Sequence, residues 1–378
     1  MRSRSATLSL QSKAAKLLSL LELATARGFT ILRGMTAKGR ITVAGLLILT
    51  LIGLVWVWLP RSAPDRLFRG KPESDWIAHL SYWDDEQVKQ WRGFGPEGVR
   101  VLIRGLDKAN RLLERTYRKT YRAIASKLPF GLAHLLPVPV DSTRKTRMDV
   151  VALLSSLGND ARIAVPAMGR ALKDEDPDVR AWAISFFTST EDEHALLNQL
   201  DKRQKRKLLP SLIEALQDNT PSWSVRNNAA LALRYYPEEA RAVAPALAKA
   251  LQDPIPQVRL LAAAALLRVD AEVARKTGAV RVVINILKDP DAQVASRAAE
   301  LLGEFQAQPE LAVPALIECL RHPDTLVGCQ AVWSLGQFRS NADLILPALK
   351  EAAQRKDSVT GAARAAAKRL ESEASAKR

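Results

Sequence analysis

Few residues of this chain are spaced for chemistry. Glu191-Asp192-Glu193-His194 unites three carboxylates with an imidazole. Such groups ligate metals, but four neighbours within a polar stretch read as solvated charge before they read as a metal cage. Cys319 and Cys329 are the only thiols, and they fall on successive helices of the pattern described below. They read as small buried residues. Outside the cytoplasm they would also be free to form a disulfide. Two cysteines exclude a disulfide scaffold and a Cys-rich zinc site, and four dispersed histidines argue against a multi-His metal centre. There is no Gly-rich phosphate loop, HExxH, GxSxG or CxxC. The sequence offers no catalytic residue, cofactor-binding residue or metal ligand set, and no evident small-molecule substrate.

The 378 residues allow two or three ordinary domains, and 47% hydrophobic content is enough to bury a core. Lys plus Arg is 56 and Asp plus Glu is 40, a net charge of +16. That surplus suggests a polyanionic partner until it is located. Residues 1–60 carry 8 basic residues and 1 acidic one, and residues 61–145 carry 17 against 10. Residues 146–378 carry 31 against 29. The basicity is N-terminal, and the long remainder is close to neutral, unlike most domains that coat nucleic acid.

Ile41–Leu59 reads ITVAGLLILTLIGLVWVWL, 19 residues without a charge. As a helix it would reach about 28 Å, close to the thickness of a hydrocarbon core. Trp56 and Trp58 suit the headgroup level, and Pro60 stops the helix. Arg27, Arg33, Lys38 and Arg40 precede it without a nearby acid, whereas Arg61, Arg66 and Arg69 follow it mixed with Asp65. This bias predicts a single-pass, uncleaved signal anchor in the inner membrane, N-terminus cytoplasmic and the remainder periplasmic. Residues 1–34 read either as an amphipathic helix on the inner leaflet or as a flexible tail, and Met35 is an alternative start.

Beyond residue 160 the chain resembles itself. AVPAMGRALKDEDPDVRAWA (164–183) aligns with VAPALAKALQDPIPQVRLLA (243–262) and AVPALIECLRHPDTLVGCQA (312–331). Six copies can be aligned. Pro166, Pro210, Pro245, Pro314 and Pro347 fall in register, with Arg281 in the fourth copy. Each proline is expected to open a helix. Asp174, Asp218, Asp253 and Asp289 are expected to end that helix and cap the next. Val179, Val225, Val258, Val294, Val327 and Val359 start an Ala- and Leu-rich second helix, and Arg180, Arg226 and Arg259 follow the first three.

This pattern resembles HEAT repeats, of the armadillo-like α-solenoid family, over about 160–371. The resemblance implies an all-α, right-handed α-α superhelix of about six clear repeats plus one or two degenerate N-terminal ones. It also implies that Asp174, Arg180, Asp218, Arg226, Asp253 and Arg259 bond between neighbouring repeats and are structural. In the last two copies His322 and Arg355 replace Asp, and Gly328 and Thr360 replace Arg. Copy six suits a terminal cap. Residues 188–207 lengthen one connection with a polar stretch that reads as a short helix in an extended loop.

Upstream, Phe68 to Gly95 suggests short helices at 73–81 and 84–92, the second capped by Asp84. Trp76, Trp83 and Trp91 are expected to close the first end of the solenoid core. The FRGKP…DWI opening resembles a segment found ahead of HEAT arrays in membrane-anchored bacterial proteins. From Gly98 to Leu128 the apolar residues fall on one helical face. Arg104, Lys108, Arg111, Arg115, Arg118, Lys119 and Arg122 fall on the other. That stripe is a candidate contact for a partner or a membrane, or else the solvated face of a degenerate repeat.

The expected organisation is a basic cytoplasmic tail (1–40), a transmembrane signal anchor (41–60), aromatic capping helices (61–97), a degenerate repeat with the basic helix (98–158), HEAT repeats (159–371) and a polar tail (372–378). The leading reading is a membrane-tethered scaffold that binds another protein and is not an enzyme. HEAT-like arrays also include phycobilin lyases and alkyl-base DNA glycosylases, so an enzyme is one alternative. Nucleic-acid binding through helix 98–128 is another, which the predicted topology disfavours.

Overall fold

An α-helix tolerates an internal proline only where the carbonyl left without a donor can find water. The repeat prolines obey this rule. In the computed structural model, which describes residues 65–109, 142–188, 195–355 and 357–376, all five are exposed. The apolar run Ile41–Leu59 expected to span a membrane, the basic tail before it, Arg111 to Arg122 and Glu191–His194 lie outside the described residues. Among the described residues, no helix is long and apolar enough to cross a membrane.

The described chain from Arg66 onward lies in one compact unit. It opens with a two-residue antiparallel ladder, β1 (Leu67–Phe68) against β2 (Lys71–Pro72). Then come α1 (Glu73–Ala78), α2 (Asp85–Gly93) and α3 (Gly95–Ala109). The Asp84 carboxylate accepts from the amides of Glu86 and Gln87 and so starts α2.

Helix pairs follow. The first helices are α5 (Val165–Ala171), α8 (Lys202–Leu216), α10 (Ala240–Ala250), α13 (Ala279–Ile286), α15 (Pro309–Cys319) and α17 (Ala342–Gln354). The second helices are α4 (Ser142–Leu157), which partners α3, then α6 (Pro177–Thr188), α9 (Trp223–Leu233), α11 (Pro256–Val269), α14 (Ala292–Phe305), α16 (Thr325–Leu335) and α18 (Thr360–Ala376). Two short helices, α7 (Leu196–Gln199) and α12 (Ala271–Lys276), join pairs. Each second helix packs on its neighbours in the series: α4 on α6, α6 on α9, α9 on α11, α14 on α16 and α16 on α18. Val179, Val225, Val258 and Val327 are wholly buried in this stack. Each such side chain contributes about 1.5–3 kcal/mol of transfer free energy.

Three expectations need correction. Prolines do not generally open the first helices. Only Pro166 sits in a first turn, whereas Pro210, Pro245, Pro314 and Pro347 are internal. The helices begin earlier because other residues start them. At α8 a capping box does so, with the Asp201 carboxylate accepting from the Gln204 amide at 2.8 Å and the Gln204 side chain accepting from the Asp201 amide at 3.2 Å. The stretch 202–207 is therefore the opening of α8, continuous with the repeat helix.

The repeat aspartates also do not cap the second helices. They fold the turn before them, each accepting the amide two residues on: Asp174 from Asp176, Asp218 from Thr220, Asp253 from Ile255 and Asp289 from Asp291, at 2.8–3.0 Å. Asp176 and Asp291 then cap α6 and α14. His322 performs the same turn with its ring, Nδ1 accepting from the Asp324 amide at 3.0 Å. This explains why the fifth copy dispenses with Asp at that position. The third correction is α12, which the repeat pattern passed over and which the Asp270 carboxylate starts by accepting from Val273.

In the C-terminal pairs small residues let the second helices approach. A Cβ on Gly303 would meet the Ser334 Cα at 2.7 Å, and one on Gly328 would meet a Val359 methyl at 2.7 Å. The buried Ser334 hydroxyl donates to the Ala299 carbonyl at 2.8 Å across the same contact. Gly303→Ala should therefore overpack the α14–α16 seam and destabilise by about 1–3 kcal/mol. Gly361→Ala, whose Cβ meets nothing within 4 Å, should be near neutral. Urea unfolding midpoints of the two variants check this, and equal midpoints would contradict it.

Candidate protein-interaction surface

A surface that binds a partner must first be separated from polar groups the fold itself consumes. The turns between paired helices consume several arginines. Arg180, at the start of α6, reaches the Asp218 carboxylate of the next repeat and donates to its own turn at the Asp174 carbonyl, 2.7 Å away. Arg226 of α9 does the same one repeat further, Nε donating to Asp253 at 2.6 Å. Arg259 of α11 donates to the carbonyls of Asp253 and Pro254 at 2.8 and 3.0 Å. There the series turns from inter-repeat ion pairs to a local backbone clasp. Further on, Arg355 reaches back one repeat to the Leu320 carbonyl.

Sequence reading missed the first rung. Arg147 of α4 pairs with Asp174 at 3.0 Å, and the two side chains are only 2% and 3% exposed. Arg147 stands 33 residues before Arg180, the same interval that separates Arg226 from Arg259. Thr146 in place of the usual Val hid it. Breaking a buried pair on one side leaves the other charge uncompensated.

Two carboxylates of these turns, Asp218 and Asp176, are held below their ordinary values. Burial would raise the Asp218 carboxyl, but the Thr220 hydroxyl and amide and then Arg180 outweigh it and hold the group below its ordinary value. At Asp176 burial again works upward, and Arg144 with the amides of Val179 and Asp178 overcomes it. A lowered folded-state value means the contribution is complete above the unfolded carboxyl value and is lost as pH falls through the folded one.

The basic stripe fares differently from its sequence reading. Arg104 of α3 is clamped by Glu73 of α1 through two bonds, Nε to Oε2 at 3.0 Å and Nη2 to Oε1 at 2.5 Å. That hydrogen-bonded pairing raises the guanidinium further. Lys108 also has a partner. Arg111, Arg115, Arg118, Lys119 and Arg122 lie outside the described residues.

Tryptophans divide into two groups. Trp76 and Trp91 join Phe68 and Phe94 in one interlocked cluster with ring centroids 5.2–6.4 Å apart. The Trp76 indole donates to the Phe68 carbonyl at 2.9 Å. This cluster packs into the core under α3. The others lie outside that cluster: Trp83 is 77% exposed, Trp333 48% and Trp223 40%, whereas Trp182 is half-buried and packs against the core and the Tyr82 ring. Counted from the buried Val of each second helix, Trp182 lies three residues on in α6 and Trp333 six residues on in α16. Helical spacing puts these positions on one side of the second helices. Asn228 and Leu261 share the first position and Leu231 the second, all half-buried.

A groove of about 710 Å³ lies between the C-terminal ends of α13, α15 and α17. Its charges are largely self-paired, Lys288 with Glu318 at 3.9 Å and Arg321 with Glu351. Cys319 lies in its wall, and burial first, then Glu318, pushes the thiol up to about 11. At neutral pH it is a protonated thiol rather than a nucleophile. Cys319 and Cys329 are both free. Among the described residues no group of His, Cys, Asp and Glu is placed to hold a metal.

Stacked helix pairs with polar turns in register define an α-solenoid. Residues 280–368 match the family model of HEAT repeats, so this segment is similar to HEAT repeats. An engineered protein of known structure is 19% identical, with a TM-score of 0.45, covering 78% of this chain and 82% of that one. A designed armadillo repeat protein is 21% identical, TM-score 0.36, covering 55% and 99%. Another, solved in complex with the peptide (KR)4, is 20% identical, TM-score 0.38, covering 55% and 99%. No curated protein matches the chain.

Two outcomes test the ladder. Arg147→Met should cost about 3–5 kcal/mol by stranding Asp174, and Arg147→Met with Asp174→Asn should recover much of it. Denaturation midpoints that are equal for the two variants would contradict the pairing. Between pH 7 and 5 the wild-type midpoint should hold nearly level, then fall below about pH 4 as the carboxylates protonate. Asp218→Asn should flatten that acid limb. An unchanged acid limb would show that Asp218 contributes nothing to it.

Proposed function

We propose that this chain is a membrane-tethered HEAT-repeat scaffold that binds another protein along the outward side of its second helices. The observation that carries this reading is the placement of Trp182 and Trp333 on that side, with Trp333 half open to solvent. Large aromatic side chains left exposed are the residue types that anchor protein interfaces. Solenoids offer long surfaces of this kind without a preformed catalytic pocket, and the reading involves no catalysis and no cofactor. A nucleic-acid reading of the basic stripe loses support at Arg104, whose guanidinium is committed to Glu73.

Membrane tethering rests on the 19-residue apolar run Ile41–Leu59 and its flanking charges. The same bias assigns the repeats to the periplasmic side. External protease should then digest the repeats in spheroplasts and spare a short N-terminal fragment. Full protection until lysis would overturn the topology.

Partner binding is tested by quantitative affinity purification from detergent-solubilised membranes. Trp182→Ala with Trp333→Ala should lower recovery of a specific partner, with an affinity loss of about thirtyfold or more. Unchanged recovery by this double variant, with loss on reversing Arg104, Arg111 and Arg118 to Glu, would move the interface to the basic stripe.

A further inference from the structure

Where the first end of this outward face begins, a second aromatic feature stands apart from the core cluster. Tyr82 and Trp83 occupy the turn between α1 and α2. Their ring centroids are 4.3 Å apart, and the Tyr82 ring meets Trp182 of α6 edge-on at 5.3 Å. The turn is pinned from both sides. The Ser81 amide donates to the Gln87 side chain at 3.0 Å, and that side chain donates in turn to the His79 carbonyl at 3.1 Å. Asp84 is fixed by its capping role. Trp83 is thus held out on a fixed turn and left 77% exposed.

The rings lie among carboxylates. Asp84 and Asp85 follow Trp83 directly. Burial first, then the charges of Asp149 and Asp178, raises the Tyr82 phenol. The nearby bases are already spent: Lys89 on Glu86, Lys145 on Asp149, and Arg144 on Asp176 and Asp178. In the core cluster the chain supplies its own cations, Arg69 over Phe94 at 4.7 Å and Lys71 over Trp76 at 5.4 Å. Among the described residues it supplies none over Tyr82 or Trp83. An electron-rich ring face beside carboxylates is complementary to a planar guanidinium, which stacks on the ring and keeps its charge.

We infer that Tyr82, Trp83 and Trp182 form a docking corner for an arginine side chain of the partner polypeptide. This rests on the scaffold reading above and names the chemistry of one end of the interface. The corner orients the partner: its arginine seats beside α2 and its remaining length follows the second helices toward Trp333.

The test uses the full-length chain in detergent and two fluorescein-labelled peptides, (Ser-Arg)3 and its citrulline counterpart, which keeps the shape and removes the charge. Fluorescence anisotropy should show the arginine peptide binding about tenfold tighter than the citrulline peptide. Because the whole chain carries +16, tighter binding of the cationic peptide must come from a local acidic site. Trp83→Ala should lower that affinity to the citrulline level, Trp83→Phe should keep most of it, and neither should shift the melting temperature, as Trp83 is exposed. Equal binding of the two peptides, no binding of the arginine peptide, or unchanged binding by Trp83→Ala would each overturn the proposal. Failure here with partner recovery still sensitive to Trp182 and Trp333 would sink the arginine corner alone. Insensitivity of partner recovery to those two residues would sink the scaffold face itself.

Discussion

A helix pair of thirty-odd residues cannot cover both flanks of its own second helix. Everything else in this protein follows from that shortage. The wholly buried valines of α6, α9, α11 and α16 lie on helices that pack both on their own first helices and on neighbouring second helices. Stability is therefore a property of seams between repeats. Each seam must also settle the polar groups of the turn beside it, because an unpaired buried group would cancel part of what apolar burial contributes.

The chain closes its seams in two chemistries. From α4 to α11 an arginine at the start of one second helix meets an aspartate in the next turn, and the Arg147–Asp174 pair is almost sealed from water. From α14 to α18 the arginine gives way to Ala295, Gly328 and Thr360, and the backbones approach instead. Gly328, at the arginine position itself, lies against Val359, and Gly303 lies against Ser334 further along the same series of helices. The polar groups of the turns are largely consumed internally, and the proposed partner surface therefore rests on the second helices and their exposed aromatic residues.

Much of this was legible in the amino-acid order because the repeat restates one pattern. The Val positions and the turn aspartates recur at nearly constant intervals, so the pairing of helices could be read from them. What escaped reading depended on residues distant in sequence or masked by substitution. Arg147 lacked its preceding Val. Glu73 lies 31 residues before the Arg104 that it clamps, so a helical wheel places Arg104 on a solvated face. The proline register was visible but not its meaning, since exposure rather than helix start is what the five positions share. The charged run before Leu208 read as a short helix within a loop, whereas the capping box of Asp201 and Gln204 starts one continuous helix there. Trp76, Trp83 and Trp91 fall within sixteen residues, and only packing separates the two core rings from the exposed one.

The central claim is that partner contact uses the outward side of the second helices. Site-specific photo-cross-linking in intact cells tests it most directly, with a benzoylphenylalanine placed singly at Trp182, at Trp333 and at Arg281, an exposed residue on first helix α13. The account predicts adducts to one common protein from positions 182 and 333 and none from position 281. Adducts from position 281 alone would contradict it.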